Sequence, residues 1–138
     1  MEVQEEEAVA RGENLPISRK HAREVGEFIK GESVEEAKQK LDRVTEEEQA
    51  VPYTRHDAEQ SHRKGSMDSG RYPVKTAEEM LELLQSAESN ARYEGMNTDN
   101  LKVTGVMINQ GNRMLTPKRH RGRKAKAAHV TIKVGEKV

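Results

Sequence analysis

The residues best suited to a chemical role form one segment, TPKRHRGRK, which runs from Thr116 to Lys124. Five of its nine residues are Lys or Arg, and none is acidic or a large apolar residue. Cations at this density suit contact with phosphate groups, and without interleaved aromatic residues they cannot stack on bases. The segment therefore predicts binding to a polyanion that is recognised through its phosphates and its shape.

The formal net charge of the chain is zero, but the charges are unevenly distributed. Residues 1–50 hold 8 Lys or Arg against 14 Asp or Glu, residues 51–111 hold 7 against 9, and residues 112–138 hold 9 against 1. The three parts thus carry −6, −2 and +8. This gradient predicts a polyanion-binding arm in the last part of the chain. The alternative is a solvated face, although such faces normally mix both signs.

A second group of candidate residues lies in a long segment without periodicity, from Gln49 to Pro73. His56 and His62, in RHDAEQSH, are candidates for a metal site or a general base. Their spacing fits no helix face, and no third ligand follows at a signature distance. The chain has no Cys, and its Gly residues match no nucleotide-binding motif. We therefore expect no catalysis, cofactor or metal, and expect these histidines to touch phosphate or face solvent.

The composition predicts one domain with a small core. The chain has 138 residues, of which Leu, Ile, Val and Phe make up 24, or about 17%. Such a chain can bury only a small core, so we expect extensions that become ordered against a partner. Residues 1–13 are rich in acid and predict a flexible leader. No signal peptide or span of ~20 apolar residues is present, which predicts a cytosolic location.

Helical periodicity with start and stop signals predicts three helices. The first begins at Ser18 as N-cap and ends at Gly31. A capping box at 33–36 opens the second helix, and another at 76–79 opens the third, which stops near Gly95. Apolar residues on one stripe of each helix predict packing against a common core.

Two strands and a hairpin are predicted in the last third of the chain. Apolar residues alternate over 101–108, with a one-residue slip at Gly105 that indicates a β-bulge, and they alternate again over 130–134. Residues 109–128 between them predict a long cationic finger, with seven cations in 113–126. Fixing each residue of such a finger costs about 1–2 kcal/mol, which its few apolar side chains cannot offset. The finger is therefore either disordered or ordered by a strongly anionic partner.

The order of these elements resembles the large-subunit ribosomal protein family L-twenty-two, in its archaeal and eukaryotic form. The resemblance covers most of residues 15–134 and is carried by ISRKHAREV, IKGESVEEAKQKL, SHRKG, GRYPVKTAEEMLELLQSAESNARYEG, DNLKVTGVMINQG and AHVTIKV. Its most specific parts are GRYPVK and the segment from Leu83 to Ala91. The finger departs from the family pattern at its tip, with one additional residue between Pro117 and Gly122.

The resemblance implies an α+β domain at residues 14–138, with three helices packed on a small antiparallel sheet and one hairpin drawn out beyond it. It also implies a structural role in the large ribosomal subunit, with the globular part near the polypeptide exit and the finger lining the exit tunnel. The implied partners are large-subunit ribosomal RNA, neighbouring ribosomal proteins and the nascent polypeptide, with no membrane, and the chain is implied to be a monomer within the ribosome. The residues expected to contact RNA are Arg19, Lys20, Arg23, Arg63, Lys64, Arg71, Arg113, Lys118, Arg119, His120, Arg121, Arg123, Lys124 and Lys126.

Two rival functions follow from the same residues. A basic β-arm is also typical of an architectural protein that binds duplex DNA, which would bind DNA and folded RNA with comparable affinity. The second rival is a metal-dependent nuclease whose active site is built on the segment around His56 and His62. A chelator would stop its cleavage of nucleic acid.

Overall fold

The computed structural model describes residues 7–52, 70–111, 114–115, 124–125 and 127–136. In order, the elements are β1 (Glu7–Leu15), α1 (Arg19–Ile29), α2 (Val34–Thr45), β2 (Val51–Pro52), β3 (Gly70–Arg71), α3 (Val74–Tyr93), a short 3-10 helix (Thr98–Asn100), β4 (Leu101–Gln110), β5 (Met114–Leu115), β6 (Lys124–Ala125) and β7 (Ala128–Glu136). Three helices pack on a small antiparallel sheet, so the predicted α+β fold is confirmed. No helix in these ranges is long and apolar enough to span a membrane.

The main sheet has three antiparallel strands in the order β1-β7-β4. Its inner face carries buried residues from each strand, including Ala10, Val103 and Ile132. These residues join a single core with the apolar stripes of the helices, whose largest fully buried side chains include Ile29 and Leu84. We call the opposite side of the sheet the outer face. The core is therefore one layer of helices on one layer of sheet.

The predicted bulge in the fourth strand is confirmed. The pairing of β4 with β7 shifts between Val103 and Gly105. The extra residue restores the alternation, so that Val106 and Ile108 continue on the inner face while Met107 lies on the outer face. Neighbouring residues of a strand point to opposite faces, so a one-residue shift in the apolar alternation was enough to predict the bulge.

The prediction of a flexible leader is wrong for residues 7–13. These residues belong to β1, which pairs with β7 from Glu7 opposite Gly135 to Leu15 opposite Ala128. Ala8 and Ala10 are buried, while the acidic and basic residues of the strand face solvent. Residues 1–6 lie outside the described residues. The prediction failed because the buried residues of this strand are small alanines that alternate with charged residues, so its composition resembles that of a solvated tail.

The start of the third helix was also predicted wrongly. The helix begins at Val74, two residues before Thr76, and its N-cap is Pro73, which offers no side-chain bond. Thr76 lies inside the helix and is buried. Gly95, with φ +85°, lies one residue beyond the C-cap Glu94, as predicted for a helix stop.

The first two helices begin where they were predicted, with one difference between their caps. The Ser33 hydroxyl accepts a hydrogen bond from the Glu36 N–H at 3.2 Å. Ser18 occupies the N-cap of α1, but its hydroxyl makes no capping bond.

Candidate nucleic-acid interface

The first cationic group lies at the start of α1. Arg19 and Lys20 are exposed, and Arg23 is half-buried. Ala22 and Val25 are completely buried on the opposite side of the helix, so the core fixes the direction in which the cations point. The first turn has no acidic residue. Because the amino end of a helix carries partial positive charge, the backbone and the side chains attract an anion together.

A groove between α1 and β4 extends this cationic surface. It is lined by Arg23, Gly26, Glu27, Lys30, Val106 and Ile108. The helix approaches the strand closely at Gly26, where an added Cβ would lie 3.0 Å from Cγ1 of Val106. The groove therefore has an apolar floor, two cations and one carboxylate.

Lys30 is a further candidate residue of this cationic surface, and it was not predicted from the sequence. It lies seven residues after Arg23 and lines the same groove. Residues seven apart lie on the same side of a helix, two turns apart, so this spacing could have indicated that Lys30 lies near Arg23.

Three cations of α2 and α3 pair with carboxylates, whereas the cations at α1 do not. Lys40 pairs with Glu32 at 2.9 Å, Arg92 pairs with Glu88 at 3.4 Å, and Lys38 also pairs with Glu88. Within the described ranges, no ion pair is formed by Arg19, Lys20 or Arg23 of α1, or by Lys30 at its C-cap. Their charges are thus available to an anionic partner.

The second cationic group is the predicted finger, and its two arms are paired as far as they are described. The pairing of β4 with β7 ends at Gln110 opposite Ala128, and the Gly111 N–H donates to the Ala127 carbonyl at 2.9 Å. Farther out, β5 pairs with β6, with Leu115 opposite Lys124. The chain thus leaves the main sheet as an antiparallel hairpin, as predicted, and the eight residues 116–123 join its arms.

Of the finger cations, one belongs to a described strand. The backbone of Lys124 lies in β6. The remaining predicted finger residues, Arg113, Lys118, Arg119, His120, Arg121, Arg123 and Lys126, lie outside the described residues.

The third cationic group belongs to the long segment between α2 and α3. Its ends are held together by β2 and β3, with Val51 opposite Arg71. Val51 is fully buried, and β2 packs against α1. The backbone of Arg71 is thereby placed at the base of the segment, whereas Arg63 and Lys64 lie outside the described residues, as do His56 and His62.

Neither of the remaining histidines is placed in a metal cluster. His129 accepts a hydrogen bond at Nδ1 from the Asn14 N–H at 3.1 Å, and His21 is half-buried on α1. The described ranges contain no group of three or more His, Cys, Asp or Glu residues that could hold a metal ion.

Comparison with known proteins gives one consistent result. A model of the family described as "Ribosomal protein L22p/L17e" matches residues 10–134. The chain is 47% identical over 107 residues to "Large ribosomal subunit protein uL22" of Methanococcoides burtonii, which covers 78% of this chain and 71% of the relative. It is 43% identical over 109 residues to the protein of the same name from Methanocaldococcus jannaschii, covering 78% and 70%. A protein of that name from Nitrosopumilus maritimus is 43% identical over 96 residues, covering 69% and 63%.

Proposed function

The chain belongs to the ribosomal protein L22p/L17e family, and on that premise we propose that it is a structural constituent of the large subunit of cytoplasmic ribosomes. The relatives named above are large ribosomal subunit proteins. The function is placement of protein against RNA rather than catalysis. The observation that carries the proposal is the antiparallel hairpin, which leaves the sheet at Gly111 and Ala127 and continues through β5 and β6 toward the basic segment.

The globular part docks on folded large-subunit RNA through cations held by the core. Arg19, Lys20 and Arg23 project from α1, and Arg71 closes the base of the long segment that also holds Arg63 and Lys64. Phosphate contacts of this kind fix the position and orientation of a protein but do not read base sequence.

The finger extends from this platform into the subunit. Its seven cations in 113–126 neutralise phosphates from RNA segments that lie apart in sequence. Seven such contacts would give a slope of about −5 to −6 when log affinity is plotted against log salt concentration. With the globular part near the polypeptide exit, the finger forms part of the tunnel wall and meets the nascent chain.

Sedimentation of the tagged full-length chain from a cell lysate, at low and at high salt, tests this function. We expect the chain to migrate with the large ribosomal subunit, and expect that migration to survive high salt. Recovery only in light fractions, or with DNA that a nuclease releases, would overturn the proposal and favour the architectural DNA-binding protein.

A charge-matched pair of variants tests the docking surface separately. In one, Arg19, Lys20 and Arg23 are replaced by Gln; in the control, the exposed helix cations Arg43, Lys75 and Arg92 are replaced by Gln. Both variants lose three positive charges. We expect weaker binding to transcribed large-subunit RNA for the first variant only, and equal losses would show that the position of the charges is irrelevant.

A further inference from the structure

The outer face of the sheet carries a diagonal row of cations, one from each strand. Lys102 lies on β4 opposite Gly135, Lys133 lies on β7 opposite Val9, and Arg11 lies on β1 opposite Thr131. Each cation is therefore displaced by two residues along the strands from the next. Diagonal neighbours of this kind are about 7–8 Å apart. The register thus produces an evenly spaced line of three positive charges.

These three cations have no acidic partner in the described part of the chain, where every ion pair involves residues of α2, α3 or the turn before α2. Arg11 is exposed, and the two lysines are half-buried. Two acidic residues of β1 lie on the same side: Glu7, in the same cross-strand row as Lys102, and the exposed Glu13, two residues after Arg11. The face thus carries three cations against two carboxylates, and none of these residues forms an ion pair in the described part of the chain.

The remaining residues of the outer face supply an apolar contact and neutral hydrogen-bonding groups. Met107 is 51% exposed and lies opposite Thr131, in the same cross-strand row as Arg11. His129 lies opposite Asn109 and accepts the Asn14 N–H at Nδ1, which leaves its Nε2–H as a donor. Such groups suit the oxygen atoms and apolar edges of ribose.

The chemistry of the face favours RNA over a protein partner. The buried centre of a protein interface is poor in Lys and rich in aromatic residues, whereas this face has two lysines, one arginine and no aromatic residue. The face is also continuous with the finger. Asn109 pairs with His129, and the next pair, Gln110 with Ala128, is the last one before the finger begins at Gly111. An RNA segment that follows the base of the finger reaches the outer face directly.

We propose that the outer face is a second RNA-binding surface, on which Lys102, Lys133 and Arg11 bind phosphates along one RNA segment while Met107 packs against its ribose. This inference rests on the proposed function, since it assigns another surface to the same partner. It implies that RNA contacts both the helical side of the domain, at α1, and the opposite side of the sheet.

The first test compares binding of full-length variants to a transcript of the large-subunit RNA from the same organism across a range of salt concentrations. In the test variant, Arg11, Lys102 and Lys133 are replaced by Gln; the control is the Arg43, Lys75 and Arg92 variant described above. Loss of three phosphate contacts should reduce the magnitude of the log–log salt slope by about 2 to 3. The control should keep the parental slope, and thermal unfolding confirms that both variants are folded.

The second test locates the RNA directly. Because the natural sequence has no Cys, Thr131→Cys introduces a single attachment point for an iron chelate that cleaves nearby RNA by hydroxyl radicals. We expect cuts in one short stretch of the RNA from this position in the outer face, and none at that stretch from Glu46→Cys at the end of α2.

The outcomes separate the two proposals. If the parental chain does not bind the RNA, the proposed function fails. If it binds and the outer-face variant binds with the same slope, or if position 131 reaches only a neighbouring protein, the second surface alone is overturned. An equal loss in the control variant would also overturn it, since affinity would then follow total charge.

Discussion

At the scale of single residues, the backbone conformation of Gly31 allows the turn between α1 and α2 to hydrogen-bond to the sheet. Its φ is +83°, and its N–H donates to the Val103 carbonyl at 2.9 Å. The Val103 N–H in turn donates to the Glu32 carbonyl at 2.9 Å. The turn between the first two helices thus pairs with the edge of the sheet at β4.

Replacing Gly31 by Ala should destabilise the domain by about 1 kcal/mol, because only the left-handed backbone conformation is unfavourable for a side chain there. Nothing lies within 4 Å of an added Cβ, so steric overlap contributes nothing. Urea denaturation measures the change. Gly31→Asn is the matched control and should cost less, since Asn tolerates this conformation better; an equal cost would show that the left-handed conformation is not the cause.

Lys40 controls the ionisation of a neighbouring carboxyl group. Its Nζ lies 2.9 Å from Glu32 Oε1 and 4.9 Å from the centre of the Phe28 ring. The hydrogen bond from the Lys40 ammonium is the main reason that the pKa of Glu32 lies below its ordinary value. A lowered carboxyl pKa stabilises the fold above the unfolded pKa, and that contribution is lost as pH falls through the folded pKa.

Lys40→Gln should therefore raise the pKa of Glu32 toward its ordinary value, which an NMR titration of the Glu32 carboxyl would detect. The associated change in stability should be at most about 1 kcal/mol, since the pair is partly exposed and screened by solvent. Lys38→Gln provides the control, because Lys38 pairs with Glu88 rather than Glu32. An unchanged titration in Lys40→Gln would contradict the assigned cause.

At the scale of elements, two serines occupy the same cap position but differ in what they contribute. Ser33 accepts the Glu36 N–H, whereas the Ser18 hydroxyl makes no capping bond. Ser33→Ala should cost about 1 kcal/mol, and Ser18→Ala should cost clearly less. Denaturant unfolding of the two variants under one set of conditions decides this, and equal costs would show that the Ser33 bond contributes little.

The first strand is part of the core despite its acidic composition. Ala10 is 5% exposed and lies opposite Ile132, while its neighbour Arg11 is exposed. Ala10→Asp should destabilise the domain by at least about 2 kcal/mol because it buries an unpaired charge. Arg11→Asp should change stability by no more than about 0.5 kcal/mol. Thermal unfolding compares them, and a stable Ala10→Asp variant would mean that β1 is dispensable.

The sequence was sufficient to predict elements whose signals are local. Ser33 marks a helix start through its side-chain hydroxyl, and Gly95 marks a helix end through its positive φ. The slip at Gly105 marks the bulge through side-chain alternation. The strand β1 could not be found in this way, because Ala8 and Ala10 become core residues only through pairing with β7, more than a hundred residues away. The start of α3 was missed because Thr76 has a cap-forming side chain but lies in the buried interior of the helix.

At the scale of the whole molecule, the cations of the finger are expected to serve the partner and not the fold. Replacing Arg119, Arg121 and Arg123 by Ala should leave the free energy of unfolding of the isolated chain nearly unchanged. Binding to large-subunit RNA should weaken, and the magnitude of its salt slope should fall by about 2 to 3. Calorimetry and RNA titration give the two readouts; a lower melting temperature would show that the finger packs on the domain.

The cationic surfaces were predictable from the sequence only where their residues are close together in the chain. Residue type alone was enough to select Arg19, Lys20 and Arg23, since a basic first turn is visible in the sequence. The line of Lys102, Lys133 and Arg11 was not visible, because these residues are far apart in the chain. They become neighbours only through the register of three strands.

The position of β7 at the centre of the sheet determines when this domain can fold during its own synthesis. Both β1 and β4 pair with β7, and β7 is the last of these strands to be translated. Until its residues have been added, neither earlier strand has a partner in this sheet, although the helices between them are already complete. Contacts between residues as distant as Glu7 and Gly135 also close slowly. The newly made chain therefore passes through a period with its apolar strands exposed, in which a chaperone or an early RNA contact would protect it from aggregation.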